Sequence, residues 1–283
     1  MEHAGLILEG GGMRGTYTAG VLDYFLDMDL HLPFVAGSSA GACNGSSYVS
    51  NQRGRNYDVL VGYGDHPEYI SYKRMLQRKG IFGMDFIFDK LPNELVPFDY
   101  ETFESRASHF VVATTDMHTG NAVHFDDFPD RESLLKIMRA SCSLPLIAPS
   151  ISYSGMDLMD GGIADPIPIE SSIRFGNKKH VVVLTRNDGH FKKKMRMAWY
   201  FARKYREYPH FVQTLLNRYK KYNKMIHRLL EMEEQGEAFL IRPLEPLTVG
   251  RIERNKQKLH ELYMQGYEDM KKQEKSLEAF LKS

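Results

Sequence analysis

Within its first 41 residues the chain passes through a strand, a glycine turn, a helix, a second strand and a second glycine turn, and few architectures accept that order. Gly5 to Glu9 (GLILE) and Phe34 to Gly37 are short, largely apolar runs, the pattern of strands buried on both faces of a parallel sheet. Between them, Thr18 to Met28 spaces Val21, Leu22, Phe25 and Met28 three and four residues apart, which makes one stripe of an amphipathic helix. Phe110 to Thr115, Val181 to Thr185 and Ala238 to Arg242 repeat the strand pattern. Arg131 to Cys142, with Leu134, Leu135 and Met138 on one side, repeats the helical one. This alternation predicts a doubly wound α/β sandwich with a mostly parallel central sheet and helices on both faces. Residues 52–105 are less regular and are expected to cover or rim a site. The strand pattern at Ala238 to Arg242 reads as part of the same sheet, so one domain over 1–283 is expected. Its motif-bearing core lies at about 5–185, with a basic helical region and tail at about 186–283.

Charge narrows the partners. Thirty-seven Lys and Arg face 36 Asp and Glu, and a net +1 exerts no global pull on nucleic acid or anionic lipid. The local picture differs: Arg186 to Leu230 carries 13 Lys or Arg against Asp188 and Glu207, a balance of +11. Aromatic residues interleave with this charge: Phe191, Trp199, Tyr200, Phe201, Tyr205, Tyr208, Phe211, Tyr219 and Tyr222. Such a mixture suits either ordinary amphipathic helices with a solvated cationic face or contact with an anionic lipid surface. Cys43 and Cys142 have no zinc-ligand spacing and cannot form a disulfide framework, so a reducing compartment and no metal are expected. The opening Met1-Glu2-His3-Ala4 has neither a basic n-region nor a long apolar run. The expectation is a cytoplasmic protein, with peripheral membrane contact through 186–230 as the alternative to a solvated helix face.

Two glycine motifs follow the first two strands. Gly10-Gly11-Gly12-Met13-Arg14-Gly15 fits the spacing of a dinucleotide-binding turn, but that use needs an acid at the end of the second strand to hold the ribose. Here that strand ends in Gly37-Ser38-Ser39-Ala40-Gly41, and Asp27 and Asp29 precede it. A Gly-x-Ser-x-Gly run between strand and helix is the setting of a nucleophile elbow, a sharp turn that exposes a serine hydroxyl. A serine nucleophile also needs backbone N–H groups aimed at the developing oxyanion, and a glycine loop on the adjacent strand supplies them.

Together with Asp160-Gly161-Gly162, these motifs resemble the patatin-like phospholipase family, which places a glycine oxyanion loop, a serine elbow and an Asp-Gly-Gly in this order. Ala113-Thr114-Thr115-Asp116-Met117-His118-Thr119-Gly120 and Ala140-Ser141-Cys142-Ser143-Leu144-Pro145 are also similar to the family. The resemblance covers about residues 5–185 and implies a three-layer sandwich. It further implies Ser39 as nucleophile, Asp160 as its partner, and an oxyanion hole from the N–H groups around Gly11, Gly12 and Met13. Arg14 would hold the loop, with Gly10, Gly15, Gly37, Gly41, Gly161 and Gly162 in support.

A Ser-Asp dyad sets a chemical requirement. An ordinary Asp, with a pKa of about 3.9, is a weak base for a neutral-pH enzyme, and desolvation against Met156, Leu158 and Met159 would strengthen it. The rival is a Ser-His-Asp triad of Ser39, Asp160 and His180 or His190. It ranks second because enzymes of that kind reach their elbow only after several strands. The expected activity is cleavage of phospholipid or lysophospholipid esters through an acyl-enzyme, with no cofactor and no nucleic acid partner. The competing class is a non-catalytic lipid-binding protein on the same fold.

Overall fold

Each strand and helix expected from the apolar pattern is present in the computed structural model, which describes residues 3–71, 74 and 80–283. The chain opens with β1 (Ala4–Leu8), α1 (Gly15–Asp27), β2 (Phe34–Ser38) and α2 (Ala40–Val49). It continues with β3 (His109–Asp116), β4 (Ala122–Phe125), α3 (Arg131–Ser141), β5 (Ile151–Tyr153), β6 (Met156–Asp160) and α4 (Ile169–Phe175). The last third holds β7 (Lys179–Val183), α5 (Ala198–Lys204), α6 (Pro209–Glu234), β8 (Ala238–Ile241) and α7 (Lys256–Lys282).

The five apolar runs form a parallel block in the order β3-β2-β1-β7-β8. Strand side chains alternate between faces, so each strand feeds two cores. Leu6, Leu8, Val35, Val112, Val181 and Val183 pack on one side with residues of α1, α3 and α7. Ile7, Phe34, Ala36, Val111 and Val182 pack on the other with α4 and α6. This is the expected three-layer arrangement, with helices on both faces of the sheet.

Three short strands that the apolar pattern does not announce complete the sheet to eight among the described residues. β4 and β6 both run antiparallel to β3. β3 pairs with β2 through His109–Ala113, with β4 through Val112–Thr115 and with β6 through Thr114–Asp116. A strand has only two edges. Since β4 overlaps both partners, β2 and β6 must share the opposite edge, one beyond the other. The C-terminal end of β6 therefore arrives at the C-terminal end of β2: Asp160 lies opposite Thr114, and Ser38 opposite the neighbouring Ala113.

Residues 52–105 form short helical segments, among them Arg55–Tyr57, Phe86–Leu95 and Tyr100–Glu104; residues 72–73 and 75–79 of this stretch lie outside the described residues. At the other end of the chain, α7 lies against α1. Tyr263 donates to Asp23 Oδ2 (2.7 Å) and Tyr24 to Glu274 Oε2 (2.6 Å).

Candidate active site

Ser39 occupies the single residue between β2 and α2, with φ 54° and ψ −125°. A non-glycine residue rarely adopts such angles, and the strain persists only where the surroundings over-determine it. Here Ser141 does so: its hydroxyl donates to Ala113 O (2.6 Å) and accepts from Ser39 N (2.8 Å), tying the elbow to the neighbouring strand. Ser39 O in turn accepts from Cys43 N (3.2 Å), the first bond of α2. The turn needs glycine around it. A Cβ at Gly41 would meet Leu8 O at 2.3 Å, and one at Gly37 would meet Ala42 N at 2.5 Å. The neighbouring Ser38 is fully buried within β2, and Ser39 is the serine that lines the cavity.

The β6 register brings Asp160 to this point. Its Oδ1 accepts from Gly162 N (2.8 Å), while Oδ2 has no hydrogen-bond partner. A side chain at Gly161 would strike Ala113 O at 2.1 Å and Ser38 Oγ at 2.9 Å, so only glycine lets the Asp loop seat against the elbow. Burial pushes the Asp160 carboxyl above the ordinary carboxylate range, and this outweighs the opposing effects of the Arg218 guanidinium, the Ser39 hydroxyl, Arg251 and the Gly162 N–H. A raised carboxyl is a stronger base.

The first glycine loop wraps the same corner. Gly12 has φ +59°, and the Gly11 and Gly12 N–H groups have no partner among the described residues. The other donors nearby are engaged: Gly10 N bonds Pro166 O (3.3 Å) and Met13 N bonds Arg251 O (3.0 Å). The loop thus offers two N–H donors, and Met13 does not add a third in this arrangement. Arg14 is buried and its Nε donates to Thr185 O (3.2 Å), which fastens the loop to the end of β7; desolvation lowers its guanidinium to about 10. Gly15 O accepts from Asn44 Nδ2 (2.7 Å), joining the start of α1 to α2.

A narrow, mostly apolar cavity of about 110 Å³ opens at Gly12, Met13 and Ser39. Its far walls come from 52–105, including Leu60, Phe88 and Leu91, and from Leu134 and Met138 of α3. The irregular segment therefore lines the site, as its pattern suggested.

Among the described residues neither candidate histidine hydrogen-bonds Ser39 or Asp160. His180 pairs with Gly5 near the opposite end of the parallel strands, bonds Ser172 Oγ (3.0 Å), and burial lowers its imidazole to about 4. His190 packs against the Tyr222 ring. The structure brings Ser39, Asp160, Gly11 and Gly12 together.

The basic region divides in two. Phe201, Tyr205, Tyr208, Phe211 and Tyr222 pack inward, and Arg228 pairs with Glu170, so much of the interleaved pattern is an ordinary helix interior. Phe191, Met197, Trp199 and Tyr200 remain exposed beside the exposed Lys193, Lys194 and Arg196. Two basic side chains missed in the sequence, Arg218 of α6 and Arg251, reach the site. Arg218 Nη2 lies 3.2 Å from the position of a Cβ on Gly162, and Arg251 lies against Gly12. The signal for Arg218 is readable afterwards: it stands on the apolar stripe Phe211, Leu215, Tyr222, where a solvated arginine has no place.

One corner of the sheet thus carries a strained serine turn, an Asp-Gly-Gly turn and a glycine loop. The patatin-like phospholipase profile matches residues 6–173, and the chain belongs to that family. Residues 208–282 match a domain of unknown function, DUF6363. The uncharacterized protein YjjU of Escherichia coli strain K12 is 32% identical over 191 residues, covering 64% of this chain and 51% of YjjU. Lysophospholipase NTE1 of Yarrowia lipolytica is 26% identical over 175 residues, covering 58% of this chain and 11% of that protein. The matched part thus spans about half of the first relative and about a tenth of the second. Among solved structures, VipD from Legionella pneumophila superposes with a TM-score of 0.49 at 12% identity, covering 96% of this chain and 66% of VipD. No helix among the described residues is long and apolar enough to cross a membrane.

Proposed function

We propose that the protein cleaves phospholipid or lysophospholipid esters through a Ser39–Asp160 dyad and an acyl-enzyme. Asp160 accepts the Ser39 proton as Oγ attacks the ester carbonyl, and the Gly11 and Gly12 N–H groups stabilise the oxyanion. The alcohol leaves with the proton, and water activated by the same carboxylate releases the fatty acid. The observation that carries this reading is the strained elbow at the mouth of an apolar cavity, beside a buried carboxylate whose Oδ2 has no partner. The cavity suits an acyl chain. The name of the NTE1 relative favours lysophospholipid among the candidate substrates.

Docking on anionic bilayers through 186–230 belongs to the same proposal. It is supported by the exposed cluster of Trp199, Tyr200, Phe191 and Met197 with Lys193, Lys194 and Arg196. The test is hydrolysis of an aryl ester, a lysophospholipid, a phospholipid and a triacylglycerol by wild type and Ser39→Ala. Ser39-dependent release of fatty acid from the phospholipids is expected. Turnover that survives in Ser39→Ala contradicts the dyad.

A further inference from the structure

Five basic side chains gather around the two catalytic loops: Arg14, Arg186, Lys192, Arg218 and Arg251. Three come from positions already noted at the site: Arg14 in the first glycine loop, Arg218 against the Asp160-Gly161-Gly162 turn, and Arg251 against Gly12. Lys192 lies over the face of the Tyr222 ring, 3.3 Å from its centroid. The carboxylates in their field are Glu9 and Asp160, so positive charge is in excess. Glu9 Oε2 is already bonded to Thr185 N (2.7 Å) and Oγ1 (3.1 Å).

None of Arg186, Lys192, Arg218 and Arg251 forms an ion pair or a side-chain hydrogen bond among the described residues, and the Nε atoms of Arg186 and Arg218 are buried without a partner. Buried cations are ordinarily paired, because an unpaired one keeps its desolvation penalty without compensation. The crowding shows in the Lys192 ammonium, which burial and the neighbouring Arg218, Arg251 and Arg14 push down to about 6 against the pull of Glu9. None of the four lines the apolar cavity. Arg251 lies against Gly12, which lines the cavity, and Arg218 against Gly162, two residues from Asp160.

We propose that Arg218, Arg251 and Lys192 form an anion subsite that binds the phosphate of the leaving group. The enzyme then selects acyl esters of phosphorylated alcohols over neutral acylglycerols. The proposal rests on the hydrolase reading for the leaving-group role, and on unpartnered guanidinium groups for the choice of phosphate, which they bind in a fork geometry. All three residues lie outside the segment that matches the patatin-like family. The C-terminal region would thus supply substrate selection to a shared catalytic core.

The test compares monomeric hexanoyl esters of glycerol 3-phosphate and of glycerol, which differ only in the phosphate. Wild type should favour the phosphorylated ester by about 10–100-fold in kcat/KM, the range expected for charge-assisted hydrogen bonds. Arg218→Gln, Arg251→Gln and Lys192→Gln should each reduce that ratio about tenfold. Arg218→Lys should recover most of the loss, which guards against a folding defect, and Lys275→Gln on the exposed face of α7 should leave the ratio as in wild type. A ratio near one in wild type, or one unmoved by the Gln variants, overturns the subsite.

Calorimetry on the resting protein separates the two readings. Glycerol 3-phosphate should bind wild type and bind Arg218→Gln at least tenfold more weakly. If it does so while no ester is turned over, the failure lies with the hydrolase reading. If inorganic phosphate binds as well as glycerol 3-phosphate and substrates are not discriminated, the site is one for free phosphate and the leaving-group role is overturned.

Discussion

The elbow corner and the basic helical region meet at the same site but are built in different ways. At the elbow, backbone does the work: strand register delivers Asp160 to Ser38–Ser39, glycines allow main chains to touch, and N–H groups of Gly11 and Gly12 stay open. In the basic region side chains do the work, and they point two ways, with Arg218 and Lys192 turned toward the site and Lys193, Lys194 and Trp199 toward solvent. Chemistry made from backbone constrains the sequence at fixed spacings. Chemistry made from long side chains leaves only a composition bias, and the same bias serves an interior and a surface.

The largest effects should come from the elbow corner. Asp160→Asn removes the proton acceptor while preserving shape, so turnover of a short-chain ester should fall by roughly 10⁴-fold, close to the loss in Ser39→Ala. His180→Ala should keep turnover within a few-fold of a well-folded wild type. A collapse in that variant would restore the triad and break the contrast.

Next comes the oxyanion loop. Gly12→Val forces a branched side chain into φ +59° and into Arg251, whose O and Cγ lie 2.6 and 2.7 Å from the Cβ position. The expected loss is about 10²–10³-fold in kcat, the usual cost of removing one oxyanion donor. Wild-type turnover in this variant would show that the donors lie elsewhere.

The outward half of the basic region should give a smaller effect. Each exposed Lys near an anionic surface contributes about 1 kcal/mol, so Lys193→Glu with Lys194→Glu should weaken binding to phosphatidylserine vesicles about tenfold or more at low salt. Trp199 emission should shift to the blue on vesicle addition in wild type. No co-sedimentation of wild type, with Trp199 unmoved, would reduce this face to a solvated helix surface.

The inward half is read through pH. In the proposed dyad Asp160 is ionised when it accepts the proton, and burial has raised its carboxyl, so hydrolysis of a neutral ester should fall as pH drops through that raised value rather than near 3.9. Arg218 holds the carboxyl down, so Arg218→Gln should move this acid limb to higher pH. An unmoved limb would separate Arg218 from the dyad.

The parallel block was legible because strands covered on both faces must be apolar throughout, as in Val181–Val183. The strands that place Asp160 were not. β5 and β6 are short and, in β6, apolar residues are interspersed with Asp157 and Asp160, so they lack an apolar run, and their mark is the turn at Ser154-Gly155, where both residues have positive φ. At the site, the glycine motifs named Ser39, Asp160, Gly11 and Gly12. Ser141 has no such mark, since a hydroxyl bridging two backbone atoms has no spacing signature. Arg251 lies more than 230 residues from Gly12 in sequence and is brought there only by the folded chain.

The central claim, that Ser39 is a nucleophile activated by Asp160, is tested most directly by intact-mass measurement after treatment with a fluorophosphonate. Wild type should gain one phosphonyl adduct, mapped to the peptide containing Ser39, while Ser39→Ala gains none and Asp160→Asn labels far more slowly. Labelling that persists in Ser39→Ala, or proceeds at the wild-type rate in Asp160→Asn, would contradict the dyad.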